Sequence, residues 1–109
     1  MIKDEQGNIL ATNIEYATTF WTRFKGLMLR KKEDFPIGNA LFFNDCNSIH
    51  MCFMKFPIDV IYLDKEFNVV KVVKNIKPWK FDLGHKNAYY TIELNANVIK
   101  NEPKKIYID

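Results

Sequence analysis

From Ala40 onward the sequence is cut into short apolar runs, each closed by a turn before it reaches the length of an ordinary helix. Ala40–Phe43, residues 48–54, residues 58–64, Asn68–Lys74, Ala88–Leu94 and Lys105–Ile108 all read as strands. Pro57, the turn Asp64-Lys65-Glu66 and the loop Lys77–Lys86, with Pro78, Trp79 and Gly84, separate several of them. Val69, Val70, Val72 and Val73 suit a strand that is buried on both faces or bulged. Asn95–Asn101 reads as a short helix, and residues 1–17 as a hairpin turning at Gln6-Gly7-Asn8. The clearest helical signal starts after Thr18 or Thr19, with Phe20, Phe24, Leu27 and Met28 on one face. Gly26 within it costs about 1 kcal/mol relative to alanine.

Strands in series with one good helix do not alternate as βαβ units, which argues against a parallel doubly wound sheet. The expected fold is mainly β (α+β). It is a small, mostly antiparallel β-barrel or sandwich, with one amphipathic helix after the N-terminal strands. The 109 residues fit a single domain spanning 1–109. Hydrophobic residues at 48% and aromatics at 15% supply a ring-rich core without disulfide staples.

A net charge of +3 is too mild to imply nucleic acid. The opening MIKDEQGNIL has no apolar stretch of the signal-peptide kind, and no run approaches the ~18 apolar residues of a membrane span. The expectation is a cytoplasmic protein whose partner is a small molecule or peptide, not nucleic acid and not membrane. Cys46 and Cys52, six apart, match neither a redox CxxC nor a paired zinc knuckle.

The chemistry concentrates between Cys46 and Asp64. If residues 48–54 are a strand, His50, Cys52 and Met54 share one face. Imidazole, thiol and thioether together form a soft donor set suited to Cu(I), and the same residues equally serve as core. Asp59, amid Ile58, Val60 and Ile61, must be paired or exposed. It is a general base, a polar anchor, or a partner for Lys55, Arg23 or backbone N–H groups. His50 and Asp59 allow an acid–base pair, but no GxSxG elbow accompanies them, and Cys52 among apolar neighbours is expected to be inert. Arg23, Lys25, Arg30, Lys31 and Lys32 split across two sides of the helical apolar stripe, as on a solvated amphipathic helix. Trp79 is either an exposed contact residue or a lid. Glu93, alternating with core residues, is either solvated or the buried partner of a basic residue such as Arg23.

Three segments together carry a resemblance: Arg23-x-x-Gly26-Leu27-Met28, the run Ile49-His50-Met51-Cys52-Phe53-Met54-Lys55-Phe56-Pro57-Ile58-Asp59 continuing to Asp64, and Thr91-Ile92-Glu93-Leu94. With Ala40-Leu41-Phe42-Phe43, these make residues from about Ile14 to Asp109 resemble the domain of unknown function 192 family. The resemblance implies a β-barrel-like fold with a helix after the first strands, and no established reaction. The chain departs from the family at Asn101-Glu102-Pro103, where a glycine–aspartate pair is common. It also has Phe53-Met54-Lys55-Phe56-Pro57 where many members have Trp-Met-Lys-Asn-Thr. Many members carry a secretory or lipoprotein leader, which is not seen here.

These readings converge on a non-enzymatic binding or accessory domain that needs no cofactor. Its ligand pocket is expected to be lined by Arg23, His50, Met54, Asp59 and Glu93, near Trp79. Soft-metal binding and Asp59–His50 acid–base catalysis are the alternatives.

Overall fold

The computed structural model describes residues 1–19, 22, 25–51 and 53–109. Among these residues ten strands follow one another: β1 (Ile2–Asp4), β2 (Ile9–Ala11), β3 (Asn13–Ala17), β4 (Asn39–Asn44), β5 (Ile49–His50), β6 (Ile58–Leu63), β7 (Val69–Ile76), β8 (Phe81–Asp82), β9 (Tyr90–Asn95) and β10 (Ile106–Ile108). One turn chemistry closes two of the hairpins. Between β1 and β2, Asp4 Oδ1 accepts the N–H groups of Gln6 (2.9 Å) and Asn8 (2.8 Å), while Asn8 Nδ2 donates to Oδ2 (3.0 Å). Between β6 and β7, Asp64 does the same with Glu66 and Asn68, both at 2.9 Å, and Asn68 Nδ2 donates back at 3.2 Å. The residue before each asparagine is left-handed, Gly7 at φ 82° and Phe67 at φ 68°. Glycine adopts this freely. Phe67 is held there by ring contacts with Phe42 (6.0 Å) and Tyr90 (5.0 Å).

The strands form three sheets: β10-β1-β2, β3-β4-β9-β6-β7 and the ribbon β5-β8. In the five-stranded sheet every pairing is antiparallel except β3 with β4, which run parallel from Asn13↔Asn39 to Ala17↔Phe43. Side-chain alternation gives this sheet two buried faces. Ala40, Phe42, Ile61, Leu63, Ile92 and Leu94 pack with Ile2, Leu10, Ala11 and Ile106 of the three-stranded sheet. On the other side Leu41, Phe43, Val60 and Tyr62 pack with Leu27, Phe35, Met51, Met54 and Phe56. The edge strand β7 is protected by register shifts in its pairing with β6 and by Lys71 and Lys74 along its length.

The mainly β class and the strands at Ala40–Phe43, 58–64, Asn68–Lys74, Ala88–Leu94 and Lys105–Ile108 agree with the sequence reading. Other expectations are corrected. The five-stranded sheet is open, ending at β3 and β7, so it is not a closed barrel. The N-terminal hairpin spans only Ile2 to Ala11, because β3 leaves it for the other sheet. The amphipathic helix is not supported. Phe20, Arg23 and Phe24, on which it was read, lie outside the described residues, and Gly26 to Leu29 form a turn with Gly26 at φ 49° and Leu29 at φ 66°. Residues 96–97 turn instead of starting a helix. The strand expected over 48–54 ends at His50, since Phe53 is left-handed (φ 60°) and Met54 N–H closes a turn on the Met51 carbonyl at 3.2 Å.

Candidate functional site

Strand β9 occupies the middle of the five-stranded sheet, and Thr91 to Asn95 are all buried. Ile92 and Leu94 face the three-stranded sheet, so Thr91, Glu93 and Asn95 form a polar row on the opposite face. The outer two members tie down loops. Thr91 Oγ1 donates to the Cys46 carbonyl (2.9 Å), and Asn95 Nδ2 donates to the Phe35 carbonyl (2.8 Å). Glu93 sits between them, opposite Leu41 and Val60, and its Oε1 has no hydrogen-bond partner among the described residues. Burial pushes its carboxyl up to about 8, against a smaller opposing effect from Arg30. Arg30 itself is engaged elsewhere, donating to both carboxylate oxygens of Glu15 at 3.0 and 2.7 Å. At neutral pH Glu93 is therefore largely a neutral acid, able to donate one hydrogen bond and accept others.

Glu93 borders a cavity of about 100 Å³ whose wall includes Gly26, Phe43, Cys46, His50 and Met54. That space equals a few water molecules. The turn at Gly26 forms one side; a Cβ there would lie 3.3 Å from the Phe43 ring, so the backbone is pressed against the core. The Cys46 thiol donates to the Ser48 carbonyl (3.1 Å), fixing the loop that leads into β5. A larger groove of about 540 Å³ runs along Leu10, Thr12, Ile37 and Val98, but no buried polar side chain faces into it.

Of the residues picked out from sequence, the structure brings His50, Met54 and Glu93 to this one cavity. Arg23 and Cys52 lie outside the described residues. Asp59 is corrected. It pairs with Leu94 in register, so it points to the opposite face of the sheet from Glu93. Fully buried, it accepts the N–H groups of Asn75 (2.8 Å) and Ile99 (3.1 Å), one on each oxygen. It is an anchor for two backbone turns and does not share the cavity with His50. Trp79 is also corrected: it is exposed, edge-on to Phe53 with ring centres 4.9 Å apart, and closes nothing over the cavity. The face that His50, Cys52 and Met54 would have shared does not exist as a strand. Among the described residues no group of three His, Cys, Asp or Glu side chains is placed to hold a metal ion. Sequence reasoning missed Gly26 as a cavity residue. The departure of Gly26 from the helical pattern was the available signal.

Compared with known proteins, residues 1–103 match the family described as Uncharacterized ACR, domain of unknown function 192. The chain is 37% identical over 101 residues to a UPF0127 protein of Thermococcus sibiricus, covering 91% of this chain and 65% of the relative. It is 36% identical over 106 residues to a UPF0127 protein of Thermococcus gammatolerans, covering 92% and 66%. The chain thus spans just under two thirds of the length of these relatives. A crystal structure of a protein of unknown function from Novosphingobium aromaticivorans superposes with a TM-score of 0.77 at 18% identity, covering 98% of this chain and 81% of the other. At that identity the likeness concerns the fold alone. No helix among the described residues is long and apolar enough to cross a membrane.

Proposed function

The chain belongs to the domain of unknown function 192 family, and for this member we propose binding of a small polar ligand, or of the polar tip of a peptide side chain, in the Glu93 cavity. The observation that carries this reading is one buried carboxyl with an oxygen that nothing among the described residues satisfies, on a residue that lines a small cavity. A buried polar group without a partner costs about 1–3 kcal/mol. A ligand that supplies the missing hydrogen bond recovers that cost on binding. The cavity is far smaller than the ~300 Å³ at which drug-sized pockets begin, so only a few heavy atoms enter it. The polar and soft groups around it are the neutral acid Glu93, the His50 imidazole, Lys25, Ser48 and the sulfurs of Met28, Cys46 and Met54. This set suits hydrogen bonding better than nucleophilic chemistry, and the reading is of a non-enzymatic domain. Cytoplasmic residence belongs to the same proposal.

The test compares Glu93→Gln and Glu93→Leu with the wild type, using amide chemical shifts to follow titration with small amines, amides and carboxylic acids. A binder is expected to move Gly26, Phe43 and His50 in the wild type, to bind Glu93→Gln about tenfold more weakly, and to leave Glu93→Leu unmoved. Glu93→Leu should fold at least as stably as the wild type, since an apolar side chain of similar size replaces an unsatisfied acid. A Glu93→Leu protein that unfolds would make Glu93 a structural residue and end the proposal.

A further inference from the structure

A second surface, separate from the Glu93 cavity, carries large apolar side chains in solvent. Leu29, Phe53, Trp79, Phe81 and Leu83 are 61%, 50%, 62%, 68% and 80% exposed. They belong to three chain segments laced together by backbone hydrogen bonds: Leu29 N–H to the Phe53 carbonyl (2.9 Å), Trp79 N–H to the Met51 carbonyl (2.8 Å), and Met51 N–H to the Lys80 carbonyl (2.7 Å). Phe53 and Trp79 meet edge to face. Leu29, Phe53 and Trp79 also have left-handed backbones, at φ 66°, 60° and 69°. Bulky residues avoid that region. Here the strained backbone anchors an N–H or carbonyl inward while the apolar side chain stays outside, a combination that brings the isolated chain no burial.

The charge around this tip is one-sided. Residues 25–32, 46–58 and 69–83, which carry these five side chains, hold nine of the 16 Lys and Arg residues and one of the 13 Asp and Glu, Asp82. Two of the nine are neutralised, Arg30 by Glu15 and Lys71 by Asp82. Lys25, Lys55, Lys74, Lys77 and Lys80 are exposed.

We propose that the protein docks on an anionic lipid surface, inserting Phe53, Trp79 and Leu29 between headgroups while the surrounding lysines contact their phosphates. Trp, Phe and Leu flanked by lysine is the composition that partitions into a bilayer interface. A second copy of the chain is disfavoured, because it would bring two basic rims together. Side chains half to four-fifths exposed project from the surface, which suits a fluid medium that closes around them better than a rigid protein partner. Adsorption of this kind needs no spanning segment. The expectation of no membrane partner rested on the absence of such a segment, and it does not bear on this surface.

The experiment is sedimentation of the full chain with vesicles of phosphatidylcholine alone and with vesicles containing about 30% phosphatidylglycerol, with the tryptophan emission recorded in parallel. Binding is expected only to the anionic vesicles, to weaken with salt, and to shift the emission to the blue. The pair Lys77→Glu/Lys80→Glu, and separately Phe53→Ser/Trp79→Ser, should each lower the partition coefficient by about tenfold or more. Their circular dichroism should be unchanged, because these side chains are exposed. Absence of binding to anionic vesicles at low salt would overturn the proposal, as would variants that bind like the wild type. Equal binding to both vesicle types would remove the role of the lysines. Capture by polyglutamate or RNA with no vesicle binding would reassign the surface to an acidic macromolecule.

Discussion

On one face of the central sheet, Ile92 and Leu94 of β9 pack among Ala40, Phe42, Ile61 and Leu63, beneath the three-stranded sheet. On the other, Thr91, Glu93 and Asn95 of the same strand stand among Leu41, Phe43, Val60 and Tyr62. The first face follows the ordinary rule for a core, and Asp59, an acid on that side, has each oxygen matched to a backbone N–H. The second face is covered by short turns and a two-residue ribbon in place of a sheet, and its middle acid lacks a partner for one oxygen among the described residues. Irregular backbone can shape a cavity around a polar group, whereas a sheet packed on a sheet leaves no room for one. The difference between the faces therefore lies in their covering layer.

The largest effect that would break this comparison is a titration. Unfolded, Glu93 ionises near 4.5; folded, it holds its proton to about 8. A raised carboxylate pKa means that its contribution to stability is complete below about pH 4.5 and is lost as the pH rises to 8. At 1.36 kcal/mol per pH unit the loss is on the order of 5 kcal/mol. Urea unfolding across that window should show this decline in the wild type and a flat profile in Glu93→Gln. Matching profiles would mean that Glu93 is not buried as described. Next comes Leu94→Ala on the apolar face, expected to cost about 4 kcal/mol with no dependence on pH over the same window. Asp59→Ala should cost about 3 kcal/mol, because it strands the N–H groups of both Asn75 and Ile99, and amide exchange at those two positions should accelerate. Asn95→Ala, which releases the Phe35 carbonyl, should cost about 1 kcal/mol by thermal unfolding. If Asn95→Ala costs more than Leu94→Ala, the ordering of the two faces is wrong.

Short apolar runs closed by turns made β4 and β6 legible, and period-two alternation made β9 legible and marked Glu93 as a polar residue on a core strand. The strand reading failed beyond His50 because an irregular segment with core residues such as Met51 and Met54 is as apolar as a strand. The left-handed backbone at Phe53 and the turn of Met54 onto Met51 keep the strand from continuing, and no pattern of side chains announces them. Asp59 was recognised as a carboxylate needing partners. The choice between a basic residue and backbone N–H groups depended on Asn75 and Ile99, 16 and 40 residues away along the chain. The parallel β3–β4 pair was invisible for a similar reason. Nothing in residues 13–17 or 39–44 distinguishes a parallel neighbour from an antiparallel one, and the direction is set by the long path between them. Trp79 could be read either way from sequence, since a loop tryptophan is equally compatible with a lid and with an exposed contact.

The three-stranded sheet has a consequence for when this molecule can become itself. Its central strand, β1, pairs with β10 at Ile2↔Ile108, and the Met1 amino group donates to the Asp109 carbonyl across a separation of 108 residues. β1 leaves the ribosome well before β10, so it waits for the other nine strands before its second edge is occupied. Until then Ile106 is missing from the cover of the apolar face of the five-stranded sheet. Contacts of such long range slow folding and prolong the exposure of unpaired edges. During synthesis the protein should therefore be open to aggregation until β10 pairs with β1.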